Sequence, residues 1–178
     1  MVTVIKYKRI IIMSLVIISV LFGMYIYSRI DNINTLITNT SSIKYINYNT
    51  ILIHVLILSI SFLLSFTGIG IILLIMYLLF EGITIGFMIL HFITIYKTSG
   101  IIYSILYILI FKFVIVFLIM ILIIKFIKIF KNIISKIKGK QVDITKTVIN
   151  CFVLIISLIS YDFILLLFGT KLLNIFIF

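Results

Sequence analysis

Proline, tryptophan and alanine are all missing from this 178-residue chain. Isoleucine, lysine, asparagine, tyrosine and phenylalanine abound instead, a bias that points to an AT-rich genome of the low-GC bacterial kind. The missing proline and alanine therefore reflect codon supply and carry no structural message of their own. Cysteine is nearly missing too. The single Cys151 excludes an intramolecular disulfide, and its apolar setting reads as a small buried side chain. Acidic residues number four, Asp31, Glu81, Asp143 and Asp162. That leaves little scope for catalysis by paired carboxylates. No H-E-x-x-H, G-x-S-x-G or Walker loop occurs. We expect no enzyme, no metal and no cofactor.

What is present is grease and positive charge. The chain is 65% hydrophobic, with a mean hydropathy of +1.47, where soluble domains are about half apolar. From Ile51 to Ile124 only three charged side chains occur, Glu81, Lys97 and Lys112. One bilayer crossing takes roughly 20 apolar residues, so this stretch alone can cross three times. Little is left for a soluble domain, and residues 1–178 read as a single membrane domain. The expected class is an all-α polytopic bundle of five spans, over about 10–27, 50–66, 71–96, 101–124 and 148–168.

The formal net charge is +11. Its placement argues against nucleic acid. Lys6, Lys8 and Arg9 precede the first span, and Lys125, Lys128, Lys131, Lys136, Lys138, Lys140 and Lys146 lie between the fourth and fifth. Clustered lysines mark the segments held on the cytoplasmic side. The N-terminus and the basic loop 125–147 are accordingly expected inside, the polar loop 28–49 and the C-terminus outside, in a bacterial cytoplasmic membrane. The first span, with no small-residue cleavage site after it, reads as an uncleaved anchor. Gly68 and Gly70 read as the turn between spans two and three. That turn lacks a basic residue, so a re-entrant pair is the competing arrangement there. Lys125, Lys128, Asn132, Ser135 and Lys138 share one helical face opposite apolar residues, the pattern of a basic helix lying on the inner leaflet against anionic lipid. A plain topology determinant gives the same pattern.

Glu81 and Lys112 are the residues that could carry chemistry. Lys97-Thr98-Ser99-Gly100 is a short turn, so spans three and four should be antiparallel neighbours. At 1.5 Å per residue, Glu81 lies about 21 Å and Lys112 about 17 Å from that outer turn. The matched depths predict an intramembrane pair. It would be either a structural lock or part of a polar pathway. Asp162 is the competing partner for Lys112. His54 and His91 fall toward the outer ends of their spans, where interfacial hydrogen bonding suits them. Gly82 and Gly86 make a small-xxx-small face for close helix packing, within this chain or against another copy or subunit.

The segment Phe62-Leu63-Leu64-Ser65-Phe66-Thr67-Gly68-Ile69-Gly70, followed by Leu78-Leu79-Phe80-Glu81-Gly82-Ile83-Thr84-Ile85-Gly86-Phe87, resembles the stage II sporulation protein M family. The shared features are a glycine-bearing turn, an apolar run and a charged-Gly-x-x-x-Gly-Phe core. The five-span layout with its basic loop follows the same order. Two departures stand out: the family's charged residue is commonly basic where this chain has Glu81, and its fourth span carries a proline that Tyr107–Lys112 lacks. The resemblance implies a non-enzymatic membrane scaffold that holds peptidoglycan-degrading partners, the stage II sporulation proteins D and P, during engulfment or a related wall process. The alternative is a small transporter, channel or permease subunit built around Glu81 and Lys112.

Overall fold

The computed structural model describes residues 2–30, 48–138 and 143–177. Most of the expected outer loop 28–49 lies outside these residues. Among them there are helices and turns and no strand. Helix α1 spans Val2–Ser28. Helix α2 spans Tyr48–Leu63 and tightens into a 3₁₀ turn at Leu64–Phe66. Helix α3 spans Ile69–Tyr96. Helix α4 (Thr98–Tyr107), a π turn (Ile108–Lys112) and helix α5 (Phe113–Ile137) follow one another without a break. Helix α6 spans Thr145–Ile177.

Five stretches are long and apolar enough to cross a membrane: Ile10–Ser28, Tyr48–Phe66, Ile69–Tyr96, Thr98–Ile137 and Thr145–Phe168. In hydrocarbon the backbone has no water to bond, and a helix satisfies its own donors and acceptors. That requirement overrides the weak helix propensity of the many β-branched isoleucines. Spans two and three are each helical over their full length.

The turns are tight. Gly68 joins α2 to α3 with φ of 85°, a left-handed conformation that costs other residues. Thr67 Oγ1 donates to the Leu64 carbonyl at 2.9 Å and closes the 3₁₀ turn. Gly70 has a different job from the one its sequence position suggests. It lies within the first turn of α3, and a Cβ there would run into the backbone of Ser61 and Leu64. It is a close-approach residue between α2 and α3, not a turn residue. At the next connection Lys97 adopts φ of 53° and ψ of −123°, which lets α3 and α4 meet with a single residue between them.

Helix α1 packs chiefly on α3. A Cβ on Gly86 would collide with the Val20 carbonyl, one on Gly82 with the Ser19 side chain, and one on Gly23 with the Ile83 carbonyl. The Gly82–Gly86 face is thus filled within this chain, by α1. Gly23 supplies the reciprocal notch, so the two backbones approach from both sides.

The rod Thr98–Ile137 contains 40 residues. At 1.5 Å per residue it is about 60 Å long, about twice the hydrocarbon thickness. Its lysine-bearing end therefore projects beyond the apolar zone as an extension of span four. The stretch expected as a basic segment from Lys125 is therefore helical as far as Ile137 and continuous with span four. Lys125, Lys128, Lys131 and Lys136 stand on α5 and Lys138 caps it. The reason is on the opposite face: Phe126 and Ile129 are fully buried. The Phe126 ring packs 6.3 Å from that of Phe62, which lies 6.3 Å from Phe152 of α6. The Phe130 ring comes close over Gly68. The Phe126–Ile129 part of the apolar stripe docks on the bundle, while Ile134 and Ile137 nearer its end stay exposed. Leu58, Leu74, Leu78, Ile119 and Ile123 complete the core.

Candidate functional site

Glu81 lies midway along α3, one helical turn beyond Tyr77 and on the same face. Both are buried, Glu81 to 1% exposure. A lone carboxylate at this depth would be strongly disfavoured, so the neighbouring spans decide its state. The π turn brings one answer. By adding a residue to a helical turn, a π bulge rotates the downstream helix about its axis and frees a backbone carbonyl. Lys112, the last residue of that turn, places Nζ 2.6 Å from Glu81 Oε2. The Tyr161 hydroxyl of α6 donates to the carbonyl of Ile110 inside the same turn, so that group is satisfied. No proline is needed for this irregularity.

The other answer comes from α2. His54 is buried, with Nε2 3.4 Å from Glu81 Oε1 and Nδ1 2.8 Å from Asp162 Oδ2 on α6. Its ring packs edge-on against Tyr77, with centroids 5.3 Å apart. The Tyr77 hydroxyl lies in the field of both carboxylates. Sequence position puts His54 at an interface and offers Asp162 to Lys112. Instead, His54 bridges two carboxylates, and Asp162, 1% exposed, is taken by the histidine. The result is a chain of contacts, Lys112–Glu81–His54–Asp162, that ties spans four, three, two and five together. Asp162 Oδ1 and the Tyr77 hydroxyl are buried and make no hydrogen bond to protein. They are the open positions of an otherwise paired network.

Other singled-out residues stay outside it. His91 Nδ1 lies 3.5 Å from the Tyr27 hydroxyl of α1, a contact flanked by the Phe87 ring. Cys151 is buried in the core. Among the described residues no group of three histidine, cysteine, aspartate or glutamate side chains is disposed to hold a metal ion. A groove of about 340 Å³ opens between α1, α3 and the Thr98–Ile137 rod, walled by Val16, Val20, Ile85, Ile108 and Val116, with Lys112 among its lining residues. The lysine thus covers apolar surface with its stem while its ammonium turns inward to Glu81.

Chemically the cluster can share charge and redistribute protons among a carboxylate, an imidazole and a second carboxylate. Neither Ser nor Cys stands against the histidine as a nucleophile among the contacts of the described residues. No family model, curated protein or solved structure matches the chain.

Proposed function

We propose that this chain is a non-enzymatic integral membrane scaffold of the kind the stage II sporulation protein M resemblance implies. It would position peptidoglycan-remodelling partners, the stage II sporulation proteins D and P or their counterparts, at a bacterial cytoplasmic membrane. The lysine-rich end of α5 and the N-terminus face the cytoplasm in this reading, and the C-terminus faces outward. The observation that carries it is the Lys112–Glu81–His54–Asp162 chain. Charged groups that face one another across four spans hold those spans in one fixed arrangement. A fixed arrangement is what a platform for other proteins requires. Crosslinked pull-down from native membranes tests the reading. Recovery of wall hydrolases supports it, and recovery of a nucleotide-binding subunit in their place points to transport.

One observation favours a second reading, a small transporter or channel subunit. Asp162 Oδ1 and the Tyr77 hydroxyl, both buried, lack protein partners, as groups along a polar pathway do. The double variant Glu81→Gln with Lys112→Met separates the two. A scaffold keeps its partners when both charges go together, whereas a conduit loses flux in reconstituted vesicles.

A further inference from the structure

Both ring nitrogens of His54 face carboxylate oxygens, Nδ1 toward Asp162 and Nε2 toward Glu81. A neutral imidazole has one N–H and one lone pair. Placed between two acceptors, it satisfies one of them and turns its lone pair on the other. Only the imidazolium donates to both. The charge count agrees. Glu81 and Asp162 contribute two negative charges and Lys112 one positive, so the cluster carries −1 without a proton on His54 and zero with it. An uncompensated charge inside a bilayer is the more costly state.

We propose that this cluster is a proton-binding site in the membrane interior. One exchangeable proton, held on His54 between Asp162 and Glu81, completes the charge balance and fastens span two to spans three and five. The groups facing His54 are Asp162 from α6 and Glu81 and Tyr77 from α3; Lys112 of the π turn acts through Glu81. Release breaks one N–H bond and passes the proton to water. The imidazolium becomes imidazole, and the cluster takes on one negative charge. Asp162 Oδ1 and the Tyr77 hydroxyl, buried and without protein partners, are the positions where such a water would bond. This role is independent of whether the bundle serves as a platform or a conduit.

The test is solid-state NMR of ¹⁵N-histidine-labelled protein in lipid bilayers at pH 7. The chain has two histidines, and His91→Gln removes the one outside the cluster. The expected spectrum shows both His54 nitrogens protonated. A neutral, single-tautomer ring at pH 7 overturns the proposal. Charge counting adds a second requirement. Glu81→Gln alone leaves Asp162 and Lys112 in balance, so the imidazolium fraction should fall at least tenfold. Adding Lys112→Met to Glu81→Gln leaves Asp162 unbalanced again and should restore it. Equal imidazolium fractions in the single and double variants also overturn the proposal. Because the first measurement leaves the cluster intact, poor folding of a charge variant does not shield the proposal.

Discussion

Lys112→Met removes the cation from a fully buried carboxylate while keeping most of the length of the side chain. Glu81 then loses its 2.6 Å partner and keeps only the 3.4 Å approach to His54. Breaking a buried pair from one side costs about 3–5 kcal/mol, because the surviving charge stays desolvated. An isolated charge at mid-membrane costs at least about 2.5 kcal/mol on insertion scales, which agrees in size. Glu81→Gln with Lys112→Met removes both charges, and replacing such a pair by neutral groups is often close to neutral. The double variant should therefore recover most of the loss, with a coupling energy of at least about 2 kcal/mol in a double-mutant cycle. The single variants should also differ from each other. Glu81→Gln leaves a cluster that can regain neutrality by giving up the His54 proton, while Lys112→Met leaves one that must protonate a buried carboxylate to do so. Lys112→Met is thus the more damaging. Reversible unfolding in mixed micelles, followed by helix content, measures all of these. Costs that simply add, within about 0.5 kcal/mol, would refute the idea that the contact between these two side chains supports the bundle.

Gly86→Leu sets a large side chain against the Val20 carbonyl, so it should destabilise by about 1–3 kcal/mol or more, while Ile72→Val on an exposed face of α3 serves as the neutral control in the same unfolding assay. Gly68→Ala forces a Cβ into a left-handed residue under the Phe130 ring, and should lose about 1–2 kcal/mol. Pairing it with Phe130→Leu shows how much of that loss is contact and how much is backbone. Tyr161→Phe deprives the partly buried Ile110 carbonyl of its donor. A cost of about 1–3 kcal/mol is expected, together with faster amide exchange across Ile108–Lys112.

The spans are legible in the sequence because lipid imposes one simple demand, a long apolar helix, and the apolar runs meet it. The meeting of Glu81 with Lys112 follows from depth alone, since a short turn makes distance along two antiparallel helices a good guide. Depth says nothing about rotation about the helix axis or tilt. Sequence position alone therefore sends His54 to an interface, when its face on α2 brings it to Glu81 and Asp162. The basic stretch after Lys125 misleads for another reason. A stripe of Phe126, Ile129 and Phe130 opposite lysines suits a lipid surface and a protein surface equally, and only the neighbours on α2 and α6 decide between them. Gly70 shows the same ambiguity on a smaller scale, because a glycine beside a turn and a glycine under a neighbouring backbone look alike in sequence. The π turn leaves no sequence signature. Its nearest clue is Tyr161, whose hydroxyl needs a partner in an apolar span.

The glycine seam between α1 and α3 has a consequence for biogenesis. The first helix leaves the ribosome well before the segment it is shaped to receive, since its notch at Gly23 takes the backbone of Ile83 on α3. During synthesis α1 must wait unmated, in lipid or in the care of the insertion machinery, until Gly82 and Gly86 emerge. Assembly order is thereby built into the chain, and a cell that shortens this wait should accumulate more of the protein.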